Sequence, residues 1–543
     1  MKRYINKHKT GTFDLIIIGG GITGAALAYE AGTRGMKVAL FEKGDFGAAT
    51  SSATSKLIHG GLRYLKNLEL GLVRESLRER RILSNIAPNF VYPIPFMMPS
   101  YRKFKNRKWM LLIAMGLYDI LSYDKGHTSD PTKSLPHFKS LSRSRTLAQE
   151  PCVKPRGLTG STVYYDCQNI FPERLTLAFL KSAETYGARL SNYAQVVSFI
   201  REEHHVKGVL VKDLTTGAEG RFTAPVTVNC AGPWADIVIK SATTGNTKHN
   251  IRRSEGIHIV TRKICEDHAV TVMTKQDRHI MVMPWRGHSL IGTTDKAYFG
   301  NPDDYKVSKA SIMGLLEEVN ENFNGTDLKY EDVLFFYGGL RPLADNDTEN
   351  SYESSRKYEI FDNADEGLDG LLTVEGGKYT TSRQLAVDVL KKIQRKLEIK
   401  LPEEISRNRP LYGGNIKNMT EFLHKLQLEY PDFTKETIYY LGKNYGTECH
   451  AVFQLARKNS KLAEVLNDDG EILAEVAYAL HEEQALSLSD ILFRRTGIGT
   501  LGNPGEAVIK KAATLAADVL NWDDAKRKDE IQKVQKRFQL PRA

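Results

Sequence analysis

Phe13 to Gly44, FDLIIIGGGITGAALAYEAGTRGMKVALFEKG, leaves few folds open. An apolar, β-branched run from Leu15 to Ile18 leads into Gly19-x-Gly21-x-x-Gly24, which opens a helix-forming stretch, and a second apolar run, Val38 to Phe41, stops at Glu42. Strand, glycines, helix, strand and terminal acid in that order make a βαβ unit suited to a dinucleotide. The glycines permit a tight turn, close approach of backbone to a pyrophosphate and close helix–strand packing, while the helix N-terminus offers unpaired N–H groups to the phosphates. Glu42 stands where a carboxylate can accept ribose hydroxyls.

At 543 residues the chain exceeds one compact core, so two or three domains are expected. A formal net charge of +11 points to an anionic partner, and charge alone leaves a phosphorylated substrate, an acidic membrane surface and nucleic acid all open. Clustered Lys and Arg with interleaved aromatics, the mark of nucleic-acid binding, is not evident, so no nucleic acid is expected. Cys152, Cys167, Cys230, Cys265 and Cys449 form no CxxC pair and no His-interleaved spacing. That pattern argues against a metal and fits a reducing compartment. No apolar segment of signal-peptide kind follows the basic N-terminus, and no apolar run reaches the roughly 18 residues of a bilayer span.

Further along, AATSSATSKLIHGGLRYLK (48 to 66) is dense in Ser and Thr and then offers His59, Gly60-Gly61, Arg63 and Tyr64. Such a loop can wrap a planar cofactor, although composition alone also fits a linker. Glu69 to Arg81 reads as a charged amphipathic helix. Lys103, Lys105, Arg107 and Lys108 precede WMLLIAMGLYDIL, which is too short to span a bilayer and fits either a buried or an interfacial helix. Residues 194 to 223 alternate as an antiparallel meander, and Val226 to Asp236 reads as a strand ending in Cys-Ala-Gly. In the β-rich stretch 251 to 300, alternation puts His258 on the opposite face from Ile257 and Ile259, while His279 and His288 have weaker claims. Arg341 lies between a glycine turn and Pro342, at an expected rigid bend. LLTVEGGKYTTSRQLA (371 to 386) gives a strand, Gly376-Gly377-Lys378 and a helix start carrying Thr380 and Thr381. Beyond Leu401 a linker leads into charged, helix-periodic sequence.

Three segments, ATSSATSKLIHGGLRYL, Pro284-Trp285 through Ile291-Gly292-Thr293-Thr294-Asp295, and the stretch 487 to 499 ending in LSDILFRRTGIG, closely resemble the FAD-dependent glycerol-3-phosphate dehydrogenase family. The resemblance covers nearly the whole chain. It implies a mixed α/β and α+β fold: a glutathione-reductase-like FAD-binding Rossmann domain, an antiparallel-sheet substrate domain and a helical C-terminal domain. Residues 1 to 405 would form the oxidoreductase region, with FAD-binding segments at about 12–90, 150–250 and 335–400 interleaved with substrate-domain segments at about 91–149 and 251–334. Residues 406 to 543 would form the helical cap.

The implied activity is oxidation of sn-glycerol 3-phosphate to dihydroxyacetone phosphate, with electrons passing through FAD to a membrane quinone. Implied with it are peripheral attachment to the anionic inner face of the cell membrane and cytoplasmic location, with a homodimer left open. Oxygen-using members of the family carry a mid-chain insertion that is not obvious here, which favours quinone. A glycerol-3-phosphate oxidase using oxygen and an amine or amino-acid oxidase of the same fold are the alternatives.

Carried over residue by residue, the FAD site comprises Gly19, Gly21, Gly24, Glu42, Ser51, Ser52, Lys56, His59, Ala231, Gly232, Gly376, Gly377 and Thr380. Arg63, Tyr64 and Lys378 would surround the substrate phosphate, Arg341 would stabilise the developing alkoxide, and His258 would be the base. Three positions depart from the family pattern: Glu255 where a basic residue is common, and Glu375 and Ser382 where apolar and aromatic residues are.

Overall fold

A computed structural model describes residues 1–65, 68–102, 108–243, 251–274, 278–343 and 357–542. Lys66, Lys103, Lys105 and Arg107 fall outside these ranges, as does the side chain of Lys108.

The βαβ unit lies in a six-stranded sheet ordered Tyr358–Asp362, Leu371–Gly376, Val226–Asn229, Leu15–Ile18, Val38–Phe41 and Arg189–Ser191. All its pairs are parallel except the one made by the edge strand Tyr358–Asp362. Leu15, Ile17, Val38 and Leu40 face helices Ile22–Thr33, Pro172–Thr185 and Ser382–Leu397. Ile16, Ile18, Ala39 and Phe41 face a four-stranded sheet through Val209, Val211 and Phe222. Burial on both faces explains why these strands read as unbroken apolar runs rather than alternating ones. The four-stranded sheet contains the expected antiparallel meander plus Thr10–Thr12, which pairs in parallel with Glu219–Thr223.

A ten-stranded sheet forms the second half of the oxidoreductase region, and its membership differs from the sequence-based division. Leu158–Asn169 and Phe335–Leu343, both assigned to FAD-binding segments, pair there with Val91–Tyr101 and Arg252–Thr261. Pairing is the physical reason: both strands find long antiparallel partners there, of 11 and 10 residues. Arg341 therefore sits within a strand, opposite Ser254, and not at a bend. Pro342 is tolerated because Phe335–Leu343 has Arg252–Thr261 as its strand partner and lies at an edge.

The C-terminal region is helical. Leu426, Ile438, Leu441, Val452 and Phe453 form a cluster of their own. Helices Leu473–Glu482, Glu506–Leu520 and Asp524–Phe538 instead share a core with Trp285 and Phe335 of the large sheet. Buried ion pairs join the regions: Arg174 donates two bonds to the Glu483 carboxylate, at 2.8 and 2.9 Å. Asp45 accepts from Arg494 Nε at 2.6 Å, from Arg495 at 2.7 and 2.8 Å and from Asn192 at 2.9 Å.

Helix Lys108–Leu121 is apolar on two faces. Leu111, Met115 and Tyr118 are buried, while Trp109, Met110, Ile113 and Ile120 are 47 to 70% exposed. Only one face thus matches the buried-helix alternative. Among the described residues, no helix is long and apolar enough to cross a membrane.

Candidate active site

A cavity of about 1330 Å³ runs from the carboxyl ends of the six-stranded sheet to the ten-stranded sheet. It exceeds the roughly 300–1,000 Å³ of an ordinary ligand site, leaving room for a long ligand and a small one end to end. At its near end lie Gly19, Gly21 and Glu42. Gly19 has φ +107°, and a Cβ there would stand 2.6 Å from the Cys230 carbonyl oxygen, so the close pass of the two strand ends requires glycine. Gly24 lines no part of the cavity: a Cβ on it would run into the Gly19 carbonyl, so it sets the helix against the turn. The helix begins at Ile22 without a side-chain cap on Gly21, and Ser51 Oγ accepts from the Ile22 N–H at 2.9 Å.

Glu42 accepts from the backbone N–H groups of Gly20 and Gly44, both at 2.7 Å. Burial raises its pKa, and those two bonds only partly offset the effect. Ala231 and Gly232 follow Cys230 on the lining, with Gly376, Gly377 and Thr380 beyond them. Thr380 Oγ1 accepts from the His59 N–H at 3.3 Å, tying the loop at 48–65 to the glycine turn.

Ser52 and Lys56 are not brought to the cavity. Ser52 Oγ donates to the Ala49 carbonyl at 2.9 Å. Lys56, at φ +54°, turns its ammonium away to Glu173 at 3.1 Å and over the rings of Trp285 and Tyr337.

Elsewhere on the lining, Arg63, Tyr64 and Lys378 come together. Arg63 donates to Tyr64 Oη at 3.0 Å, and Lys378 Nζ lies 4.1 Å from the Tyr64 ring centroid while donating to Ser76 Oγ at 2.9 Å. A Cβ on Gly61 would stand 2.6 Å from Lys378 Nζ. Burial, then Arg63, pushes the Lys378 pKa down to about 7. His59 falls to about 4 by burial and the Lys378 charge. Beneath this group Asp166 accepts from the Gly60 N–H at 3.3 Å, from Tyr118 Oη at 2.6 Å and from Arg80.

His258 and Arg341 also line the cavity, on neighbouring strands of the large sheet. Ile257 and Ile259 enter the core below with Ile312 and Leu315, as alternation requires. His258 stacks on Tyr337 with ring centroids 5.1 Å apart, and its Nε2 lies 2.9 Å from Ser55 Oγ. Burial, then Arg341 and Lys56, holds its pKa well below the ordinary histidine value. Arg341 donates to Thr293 Oγ1 at 2.6 Å, to the Thr294 carbonyl at 3.1 Å and to the Glu255 carbonyl at 3.2 Å. A Cβ on Gly256 would collide with its guanidinium.

His279 reaches the lining, whereas His288 Nδ1 is 2.9 Å from the Arg286 carbonyl, away from it. Glu255 faces away from the cavity and accepts from Ser311 Oγ at 2.7 Å. Glu375 and Ser382 are buried. Ser55 and Asp166 carry no spacing signal of their own, and Thr293 and Thr294, although inside the Ile291–Asp295 segment, gave no sign in the sequence that they hold Arg341.

Residues 14–383 match the family model described as FAD dependent oxidoreductase, and residues 405–527 match the C-terminal domain of alpha-glycerophosphate oxidase. A glycerol-3-phosphate dehydrogenase of Synechocystis sp. is 32% identical over 538 residues, 96% of this chain and 95% of its own. One from Mycobacterium leprae is 34% identical over 522 residues, 94% of this chain and 86% of its own. The chain belongs to the FAD-dependent glycerol-3-phosphate dehydrogenase family.

A solved glycerol-3-phosphate dehydrogenase from Bacillus halodurans, complexed with FAD, has TM-score 0.78 and 25% identity over 97% of this chain and 94% of its own. FAD is the cofactor of this glycerol-3-phosphate dehydrogenase family member. The residues present fit it: side-chain-free backbone at Gly19 and Gly21, a helix start without a side-chain cap, and the Glu42 carboxylate on the cavity lining.

Proposed function

We propose that the chain oxidises sn-glycerol 3-phosphate to dihydroxyacetone phosphate and delivers the electrons to a membrane quinone. The observation that carries this reading is the meeting of Arg63, Tyr64 and Lys378 on the wall of the same cavity that His258 and Arg341 line. An arginine fork and a lysine point charge suit a phosphate dianion, and neither is needed by an amine substrate. Bound FAD supplies the hydride acceptor. The chain's own residues do the rest: Arg63 and Lys378 hold the phosphate, Arg341 faces the oxygen on which negative charge grows, and His258 receives the hydroxyl proton. The neutral resting state of the His258 ring, which its burial enforces, leaves a nitrogen lone pair for that proton.

Quinone is favoured as acceptor by helix Lys108–Leu121, whose Trp109, Met110 and Ile113 are exposed yet also line the cavity. An apolar approach to the cavity from a peripherally bound membrane face suits a lipid-soluble acceptor. Anaerobic addition of glycerol 3-phosphate should bleach the visible flavin absorbance, and glycerol, lactate or an amino acid should not. Bleaching by an amino acid alone would overturn the substrate reading. Rapid oxygen consumption with peroxide release by protein kept free of detergent and lipid would replace quinone with oxygen.

A further inference from the structure

The imidazole of His258 has one nitrogen on the cavity side. Nδ1 is buried and has no hydrogen-bond partner among the described residues, whereas Nε2 is 2.9 Å from Ser55 Oγ, and Ser55 itself lines the cavity. A substrate proton can reach the ring only at Nε2, and the Ser55 hydroxyl already occupies that approach. Both partners are held. Tyr337 stacks on the imidazole at an interplanar angle of 18°, and the same tyrosine's hydroxyl donates at 2.9 Å to the carbonyl of Thr54, the residue before Ser55. On the other side stands Gly292, where a Cβ would strike the Cδ2 and Nε2 edge of the ring.

We propose that Ser55 is a catalytic residue, the relay through which the substrate's hydroxyl proton passes to His258. The inference rests on the reading of His258 as the base. The C2 hydroxyl gives its proton to Ser55 Oγ as the Ser55 proton moves to His258 Nε2. The C2–H bond breaks, its electron pair leaving with the hydrogen as hydride for FAD, and the C2 carbonyl forms. The substrate loses two electrons and two hydrogens, and the imidazole ends as imidazolium. That ion is buried near the cations of Arg341 and Lys56, so after the ketone leaves it returns its proton readily through Ser55 Oγ to water entering the cavity, and the neutral base is restored. A hydroxyl is suited to this work because it donates and accepts at one atom.

The test measures anaerobic flavin reduction by glycerol 3-phosphate in the holoenzyme, in mixtures of light and heavy water. With two protons in motion, the wild-type rate should bow below a straight line against deuterium fraction. Ser55→Ala should lower the rate on the order of 10²-fold with KM within about twofold, and the residual plot should be straight. Ser55→Thr, which restores the hydroxyl, should recover most of the rate. A straight wild-type plot, or a Ser55→Ala rate within about twofold of wild type, overturns the relay. The bound-flavin spectrum of each variant separates lost chemistry from lost folding, and the wild-type plot needs no variant. If glycerol 3-phosphate leaves the wild-type flavin oxidised, the substrate reading has failed instead, and the same plot is taken with whichever alcohol reduces it. Full turnover by His258→Gln together with impaired Ser55→Ala also overturns the relay, since the proton would then bypass the imidazole.

Discussion

Lys378 shows how burial can make a charge conditional. Its ammonium lies over the Tyr64 ring beside Arg63, and its pKa falls to about 7. Below that pH it is charged and ready for a phosphate; above it, binding an anion must first bring a proton back. The apparent KM for glycerol 3-phosphate should therefore be level below pH ~7 and rise toward tenfold per pH unit above it. Lys378→Arg, charged throughout, should flatten that limb. A KM for the wild type that stays constant up to pH ~9 would contradict the role given to this lysine. Gly256 supplies a second residue-scale test. Any Cβ there meets the Arg341 guanidinium, so Gly256→Ala should cost on the order of 10²-fold in kcat/KM while the flavin stays bound. Gly19 was legible in the sequence because tight backbone passage admits one residue type. Lys56 misled because it shares a loop with residues that do reach the cavity, and its φ of +54° sends the side chain the other way. Ser55 was hidden among interchangeable hydroxyls, with nothing local to say that its partner is a histidine 203 positions later.

Among elements, the βαβ unit, the meander and the helical C-terminal region were all readable, since each depends on local periodicity. Strand allegiance was not. Leu158–Asn169 and Phe335–Leu343 join the large sheet because long partners await them there, and no feature of either segment names its partner. The same holds for the contact between the turn after Glu42 and the segment Ile491–Arg495, where Asp45 meets Arg494 and Arg495. Burial would raise the Asp45 pKa, but Arg495 and then Arg494 outweigh it and hold the carboxyl ionised. Removing the charge leaves two buried guanidinium groups short of an acceptor. Asp45→Asn should therefore destabilise the holoprotein by about 3–5 kcal/mol, seen as a lower thermal midpoint and faster flavin loss. An unchanged midpoint would mean that these arginines are satisfied elsewhere.

For the molecule as a whole, the basic composition and the apolar outer face of helix Lys108–Leu121 bear on the same question of attachment. The sequence left this helix open between core and interface, and the ambiguity was physical: it is buried along one face and exposed and apolar along the other. Sedimentation with anionic vesicles should carry down the holoenzyme, and Ile113→Asp with Ile120→Asp should leave it in the supernatant with its flavin still bound. Retention of the double variant on vesicles would move the attachment surface elsewhere. The Asp45 clamp also bears on the order of assembly. Its arginines lie 449 and 450 positions along the chain from the aspartate. A ribosome has synthesised the glycine turn and Glu42 long before it makes Arg494. Until then the turn carries a carboxylate whose burial has no counterion, so it stays open to water. FAD loading should thus be a late, post-translational event, and a nascent chain stalled before residue 490 should emerge colourless although its whole dinucleotide motif is already outside the exit tunnel.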